Sequence, residues 1–331
     1  MIGHSRILAF VLFWWAAVVA VPAAAETYKL ATLDRENDVL SEPIRWWMQN
    51  VADRTSQRVQ IQPFWAESLV PIARTMSAVQ SGIADLGHFV TPVLAGQEKD
   101  FAILTVPGSI PTDGAQFLKA WEAMKPIMGR ILDRHGVVAL WPRPPAKVPL
   151  ACKTKLLTQA SDYKDLKVRA AGRWQIEAVT RWGGSAINVA MAETYTAVQR
   201  GTVDCTYHIY PLLWSLKLYE VAPFITRTDF AGGFLFIGMN KDKWNRLSAA
   251  DRQVIEELSR QATVREIEAL KQREEGIVQD MQKAGAKVHV PSAAERKRLS
   301  DAVKPLWQEV RQSMGPDGVQ MADVLEPLQA R

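Results

Sequence analysis

The sequence predicts an α/β fold of two equivalent lobes joined by a hinge, with a cleft between them and one long helix spanning both. Three observations predict it. Strand and helix patterns alternate along the chain. An internal repeat divides it. A helical stretch near the C-terminus is too long for one small domain.

The alternation comes first. Tyr28–Thr32 reads as a strand. Pro43–Arg54 places Ile44, Trp47, Met48 and Val51 at helical spacing. Val59–Phe64 alternates as a strand does, Ile72–Gln80 is helical, and Ala84–Phe89 is a strand. Gly114–His135 is helical and Val137–Trp141 is a strand. Strand–helix alternation of this kind implies largely parallel sheets covered by helices. Ser248 then offers a helix N-cap, and only Gly276 interrupts Ala249–Ala284. A helix of about 35 residues would run about 50 Å, enough to cross two lobes. Lys287–Val290 reads as a short strand and Ala293–Ser313 as another helix.

The repeat is the strongest of the three. Ala78-Val79-Gln80-Ser81-Gly82-Ile83-Ala84-Asp85 returns as Ala197-Val198-Gln199-Arg200-Gly201-Thr202-Val203-Asp204, in a register that continues to Pro92 and Pro211. In each copy a helix ends, glycine supplies a left-handed cap, and a strand begins. Each strand leads into a polar and aromatic segment, Gly87–Thr91 in the first copy and Thr206–Tyr210 in the second. Paired α/β units of this kind bind ligands at the carboxyl ends of their strands.

The start of the chain has its own pattern. Arg6 precedes an apolar run from Ile7 to about Val21, and Pro22-Ala23-Ala24-Ala25 supplies small residues for a signal peptidase. This reads as a secretory signal cleaved after Ala25, which makes the mature protein periplasmic. An uncleaved anchor is the alternative, but the run is short for a span of about 20 residues.

Of 331 residues, 40 are Lys or Arg and 35 are Asp or Glu, a net charge of +5 spread along the chain. The dense cluster Arg296-Lys297-Arg298 lies beside Glu295 and Asp301 and reads as a solvated helix face, so no nucleic acid is expected. Cys152 and Cys205 are the only cysteines. In an oxidising compartment they could bridge, or stay two buried thiols. Neither a Cys-x-x-Cys pair nor clustered histidines suggest a metal, and no cofactor is expected. Gly-x-Ser-x-Gly, His-Glu-x-x-His, Gly-x-Gly-x-x-Gly and phosphate-loop motifs are absent, which argues against an enzyme. A secreted α/β hydrolase is a minor alternative.

The ordered motifs resemble the periplasmic solute-binding subunit of tripartite ATP-independent (TRAP) transporters, the DctP-like family. Arg54–Val59 followed by Phe64–Leu69 is similar to one family segment, and Ala78–Asp85 to another. Asp165-Leu166-Lys167-Val168-Arg169 and Glu193–Asp204 resemble two more. The resemblance implies a two-lobe periplasmic binding protein fold that closes on a small carboxylate and delivers it to a membrane permease. A monomer is expected. Service to a sensor receptor is an alternative with the same ligand chemistry.

It also implies that Arg169 pairs with the solute carboxylate, since a guanidinium offers two parallel N–H donors and keeps its charge in a closed cleft. Tyr207, His208 and Tyr210 of the second repeat loop, and His88 and Phe89 of the first, are further ligand-binding candidates. Trp65, Trp141 and Trp174 are candidate walls, and Arg143 a candidate second anion contact. Cys205 stands where the family has glycine, and His208 near a frequent asparagine, so no particular acid can be carried over. The loop aromatics favour an apolar or cyclic monocarboxylate over a compact dicarboxylate.

The expected lobes are residues 26–147 with about 233–272, and 148–232 with about 273–331, residues 1–25 being the signal.

Overall fold

The computed structural model describes residues 25–170, 173–231 and 233–328. The expected signal segment, residues 1–24, lies outside them. The strands are β1 (Glu26–Ala31), β2 (Val59–Phe64), β3 (Leu86–Val90), β4 (Val137–Arg143), β5 (Val148–Cys152) and β6 (Lys167–Arg169). They continue with β7 (Ser185–Ile187), β8 (Cys205–Tyr207), β9 (Phe224–Phe230), β10 (Leu235–Asn240) and β11 (Lys287–His289).

They form two sheets, in the orders β2-β1-β3-β10-β4 and β11-β9-β5-β8-β6-β7. Within each sheet a run of strands pairs in parallel, β1 with β2 and β3, and β6 with β7 and β8. The sheets are nonetheless mixed, where the alternation alone suggested largely parallel ones. In each, a strand arriving from the other lobe wedges in antiparallel: β10 between β3 and β4, and β5 between β8 and β9. The chain thus crosses between lobes after β4 and again after β9. A crossing strand enters its new sheet from the cleft end, opposite in direction to the strands already there.

The repeat corresponds to one structural device used twice. Helices Thr75–Gln80 and Thr194–Gln199 end at Gly82 and Gly201, both at φ +76°. Asp85 then accepts a hydrogen bond from the Lys29 N–H at 2.9 Å, and Asp204 from the Lys167 N–H at 2.9 Å. Each aspartate ties the start of its own strand, β3 or β8, to the neighbouring strand, β1 or β6, so the two lobes repeat one strand register.

The long helix spans Ala249–Lys283, with Ser248 accepting from the Asp251 N–H as its N-cap. It packs on the Glu42–Arg54 helix and β4 of the first lobe and on Tyr210–Ser215 and β11 of the second. The Ala293–Ser313 helix lies against both the Arg173–Arg181 helix and the Lys99–Thr105 turn. The last helix, Pro316–Leu325, packs on Gly114–Asp133 of the first lobe. Its position differs from the assignment of the whole C-terminal part to the second lobe. The cause is visible at Asp100, which accepts from the Gly315 N–H at 2.6 Å and from Arg134 at 2.9 Å.

Cys152 and Cys205 are directly paired residues of β5 and β8 and form a disulfide. It fastens the crossing strand to the strand that carries Thr206 and Tyr207.

Candidate functional site

Arg169 closes β6, in register with Thr206 of β8 and Ile187 of β7. Its side chain is 8% exposed. Its Nε donates to the Val189 carbonyl at 3.1 Å, and one terminal nitrogen makes a long 3.5 Å contact with the Tyr207 carbonyl. Among the described residues no carboxylate pairs with it. Burial alone acts on its acidity and lowers its pKa, the mark of a cation without a counter-charge.

His208 lies beside it, buried, with Nε2 3.4 Å from the Thr194 hydroxyl. Burial, and then the Arg169 charge, push its pKa down to about 4, so its ring is neutral at pH 7. The neutral imidazole leaves Arg169 as the charge that an incoming anion would meet.

A cavity of about 690 Å³ opens between the lobes. Val90, Pro92, Ala102 and Pro107 line it from the first lobe, and Trp174, Trp182, Tyr207 and Phe230 from the second. The wall is mostly apolar, which suits a small-molecule site that fixes its ligand through a few polar groups. Trp182 stacks on Phe230 at 5.7 Å between ring centroids and tilts against Tyr207 at 5.9 Å. This aromatic wall is continuous with the second-lobe core.

The structure sorts the sequence candidates. Tyr207 and Trp174 line the cavity, whereas Arg169 and His208 stand just behind it, Arg169 at the Tyr207 carbonyl. Tyr210 is buried, and its hydroxyl donates to Asp229 at 2.7 Å. The first-lobe candidates have other partners. Arg143 is buried and donates to Asp34 at 2.8 Å, to Glu266 at 2.5 Å and to the Leu40 carbonyl at 3.2 Å. His88 places Nδ1 2.8 Å from Asp34.

Burial opposes the charge of Asp34. Arg143 and His88 outweigh it and hold that carboxyl well below its usual range. Phe89 stacks on Phe236 at 5.0 Å and Trp141 on Trp47 at 5.8 Å, both inside the first-lobe core. Trp65 lines a separate outer groove with Met48, Ala52 and Ile61. None of these five residues lines the inter-lobe cavity.

Most of the lining was not singled out in the sequence, Lys99, Trp182 and Phe230 included. Trp182 had a signal, since it follows Trp174 by eight positions at the end of one helical segment. Lys99 and Phe230 had none; Phe230 is aimed by Asp229, whose φ of +53° no local pattern announces.

Among the described residues no cluster of His, Cys, Asp or Glu could hold a metal, and no helix is long and apolar enough to cross a membrane.

Comparison with known proteins places these features in a family. The model of bacterial extracellular solute-binding protein family 7, DctP, matches residues 31–313. The 2,3-diketo-L-gulonate-binding periplasmic protein of Escherichia coli K12 is 26% identical over 293 residues, 83% of this chain and 82% of its own length. A TRAP periplasmic solute-binding protein from Ochrobactrum anthropi, solved with its C-terminus bound in the ligand pocket, superimposes with a TM-score of 0.85. It is 20% identical and covers 92% of this chain and 96% of its own. A Bordetella pertussis extracytoplasmic solute receptor binding pyroglutamic acid gives a TM-score of 0.76 at 20% identity, over 91% and 100% of the two chains.

Proposed function

The chain belongs to the bacterial extracellular solute-binding proteins of family 7, and on that premise we propose that it captures a carboxylate and hands it to a TRAP-type permease. Membership makes it a binding protein and not an enzyme. The observation that carries the carboxylate is Arg169, a buried cation with no acidic partner among the described residues. A charge removed from water without a partner is unfavourable, so an occupied crevice gains most from an anion. Guanidinium geometry matches the two oxygens of a carboxylate. The Bordetella receptor binding pyroglutamic acid, a ring that bears one carboxylate, is consistent with this chemistry. Delivery to a permease follows the similar TRAP binding proteins.

The apolar walls support a reading of the rest of the solute. Trp174, Trp182, Tyr207 and Phe230 offer ring faces, which favour an apolar or cyclic body over a small, fully hydrated one. The protein acts as an exported monomer, cleaved after Ala25. Its lobes meet at the crossings near 147 and 232, and the crevice closes about them.

A thermal-shift screen of the mature protein against organic acids, run beside Arg169→Ala, tests this reading. Ligand at about 100 times its dissociation constant stabilises the folded state by about 2.7 kcal/mol, a visible rise in melting temperature. A rise confined to carboxylates and lost in the variant supports it. A folded variant that responds equally removes Arg169 from the site.

A further inference from the structure

Two charged side chains on the cavity wall have no role in the reading above. Lys99 enters from the first lobe at the start of the Lys99–Thr105 turn, and Arg173 from the second at the start of the Arg173–Arg181 helix. Both are exposed.

The carboxylates next to Lys99 are already engaged. Glu98 pairs with Arg134 and His135, and Asp100 with Arg134 and the Gly315 N–H. Arg173 is held over the Trp174 ring, 4.5 Å from its centroid, which keeps its charge against the apolar wall. Among the described residues neither cation has an ion-pair partner, and no Asp or Glu lines the cavity. The lining thus holds two cations, with Arg169 a third behind Tyr207, and among the described residues no anion matches them. A monocarboxylate at Arg169 leaves the other two unmatched. As the lobes approach, Lys99 and Arg173 come from opposite sides into a narrowing, poorly solvated space, where like charges repel more strongly.

We propose that Lys99 and Arg173 make a second anion contact across the crevice, so that the preferred solute is a dianion. One carboxylate meets Arg169. A second acidic group, on an apolar body that lies along Trp174, Trp182 and Phe230, meets the two outer cations. The inference rests on the carboxylate reading and replaces Arg143 with Lys99 and Arg173 as the second anion contact. It also turns the preference from a monoacid to a ring-bearing diacid. The second group also acts as the closing element, because it alone contacts cations of both lobes.

Titration calorimetry with matched pairs tests it: benzoate against benzene-1,4-dicarboxylate and 4-sulfobenzoate, and cyclohexanecarboxylate against cyclohexane-1,4-dicarboxylate. The diacids are expected to bind about tenfold more tightly than their monoacids. Lys99→Ala or Arg173→Gln should each remove that advantage, so that diacid and monoacid bind the same variant within about twofold of each other. Both positions are exposed, so folding is not at stake. The sulfonate arm shows whether the outer pair reads any anion or a carboxylate in particular. Equal affinity for monoacid and diacid, or variants that weaken both equally, overturns the inference. If the monoacid binds, is lost in Arg169→Met and gains nothing from a second acid, only this inference falls. If neither class binds the wild-type protein, the carboxylate reading fails and takes the inference with it.

Discussion

The two lobes each bury an arginine near the crevice, and the two are in opposite states. Arg143 of the first lobe is fully matched, with Asp34 and Glu266 as acids, His88 alongside and the Leu40 carbonyl behind. Glu266 is itself buried. Burial lifts its carboxyl to about 6 despite the opposing pull of Arg143. Among the described residues, Arg169 of the second lobe has only carbonyl contacts. A matched buried arginine stabilises a particular packing, and its removal leaves uncompensated charges. An unmatched one is a standing demand for an anion. The difference teaches that burial of a cation does not by itself mark a ligand site; its partner list does.

The comparison can be broken most decisively at Arg143. Arg143→Ala strands Asp34 and Glu266 together in the first lobe, and is expected to destabilise the protein by about 3–5 kcal/mol. Chemical denaturation without ligand measures this. A change below about 1 kcal/mol would mean that the network carries little stability.

Arg169→Met should do the reverse. It leaves no buried charge unpaired, so ligand-free stability is unchanged or slightly higher. Carboxylate affinity falls by about 2–5 kcal/mol. Calorimetry and melting on the same variant read both halves. A large loss of ligand-free stability would make Arg169 as structural as Arg143.

The disulfide sharpens the contrast because only the second lobe has one. Replacing Cys152 and Cys205 by Ala frees a loop of 53 residues and should cost about 2–4 kcal/mol. It should also weaken ligand binding, since β8 carries both Thr206 and Tyr207 and leads into His208. Unchanged affinity would show that the sheet alone holds that strand.

His208 gives the smallest effect and a pH signature. Its folded-state pKa of about 4 lies below the ordinary histidine value of 6.5. The unfolded chain therefore binds more protons between those values, and stability present above pH 6.5 is lost as pH falls towards 4. His208→Gln should flatten that limb by about 2–3 kcal/mol relative to wild type at pH 4. Parallel curves for the two proteins would place His208 in a more solvated setting than the structure gives it.

Local chemistry was legible in the sequence where near neighbours decide the outcome. Val59–Phe64 and Ala293–Ser313 were read at their observed limits, and the long helix to within one residue. Periodicity and capping act within a few positions, so the chain announces them. The repeat went further, because Gly82 and Gly201, with Asp85 and Asp204, encode the same strand start twice. Arg169 was singled out by motif resemblance, and the fold placed it behind the crevice wall.

The sequence by itself therefore determined the two-lobe α/β architecture, the long helix that joins the lobes, and the strand ends that face the crevice. Only the tertiary structure decided which arginine is satisfied. Arg143 meets Asp34 across 109 positions and Glu266 across 123, and no local pattern reports such pairings. The same holds for the wall, where Phe230 and Lys99 come from segments with no motif and meet only when the crossing strands join the lobes. Backbone preference is a short-range property. Charge compensation and cavity lining depend on chain segments that only folding brings together.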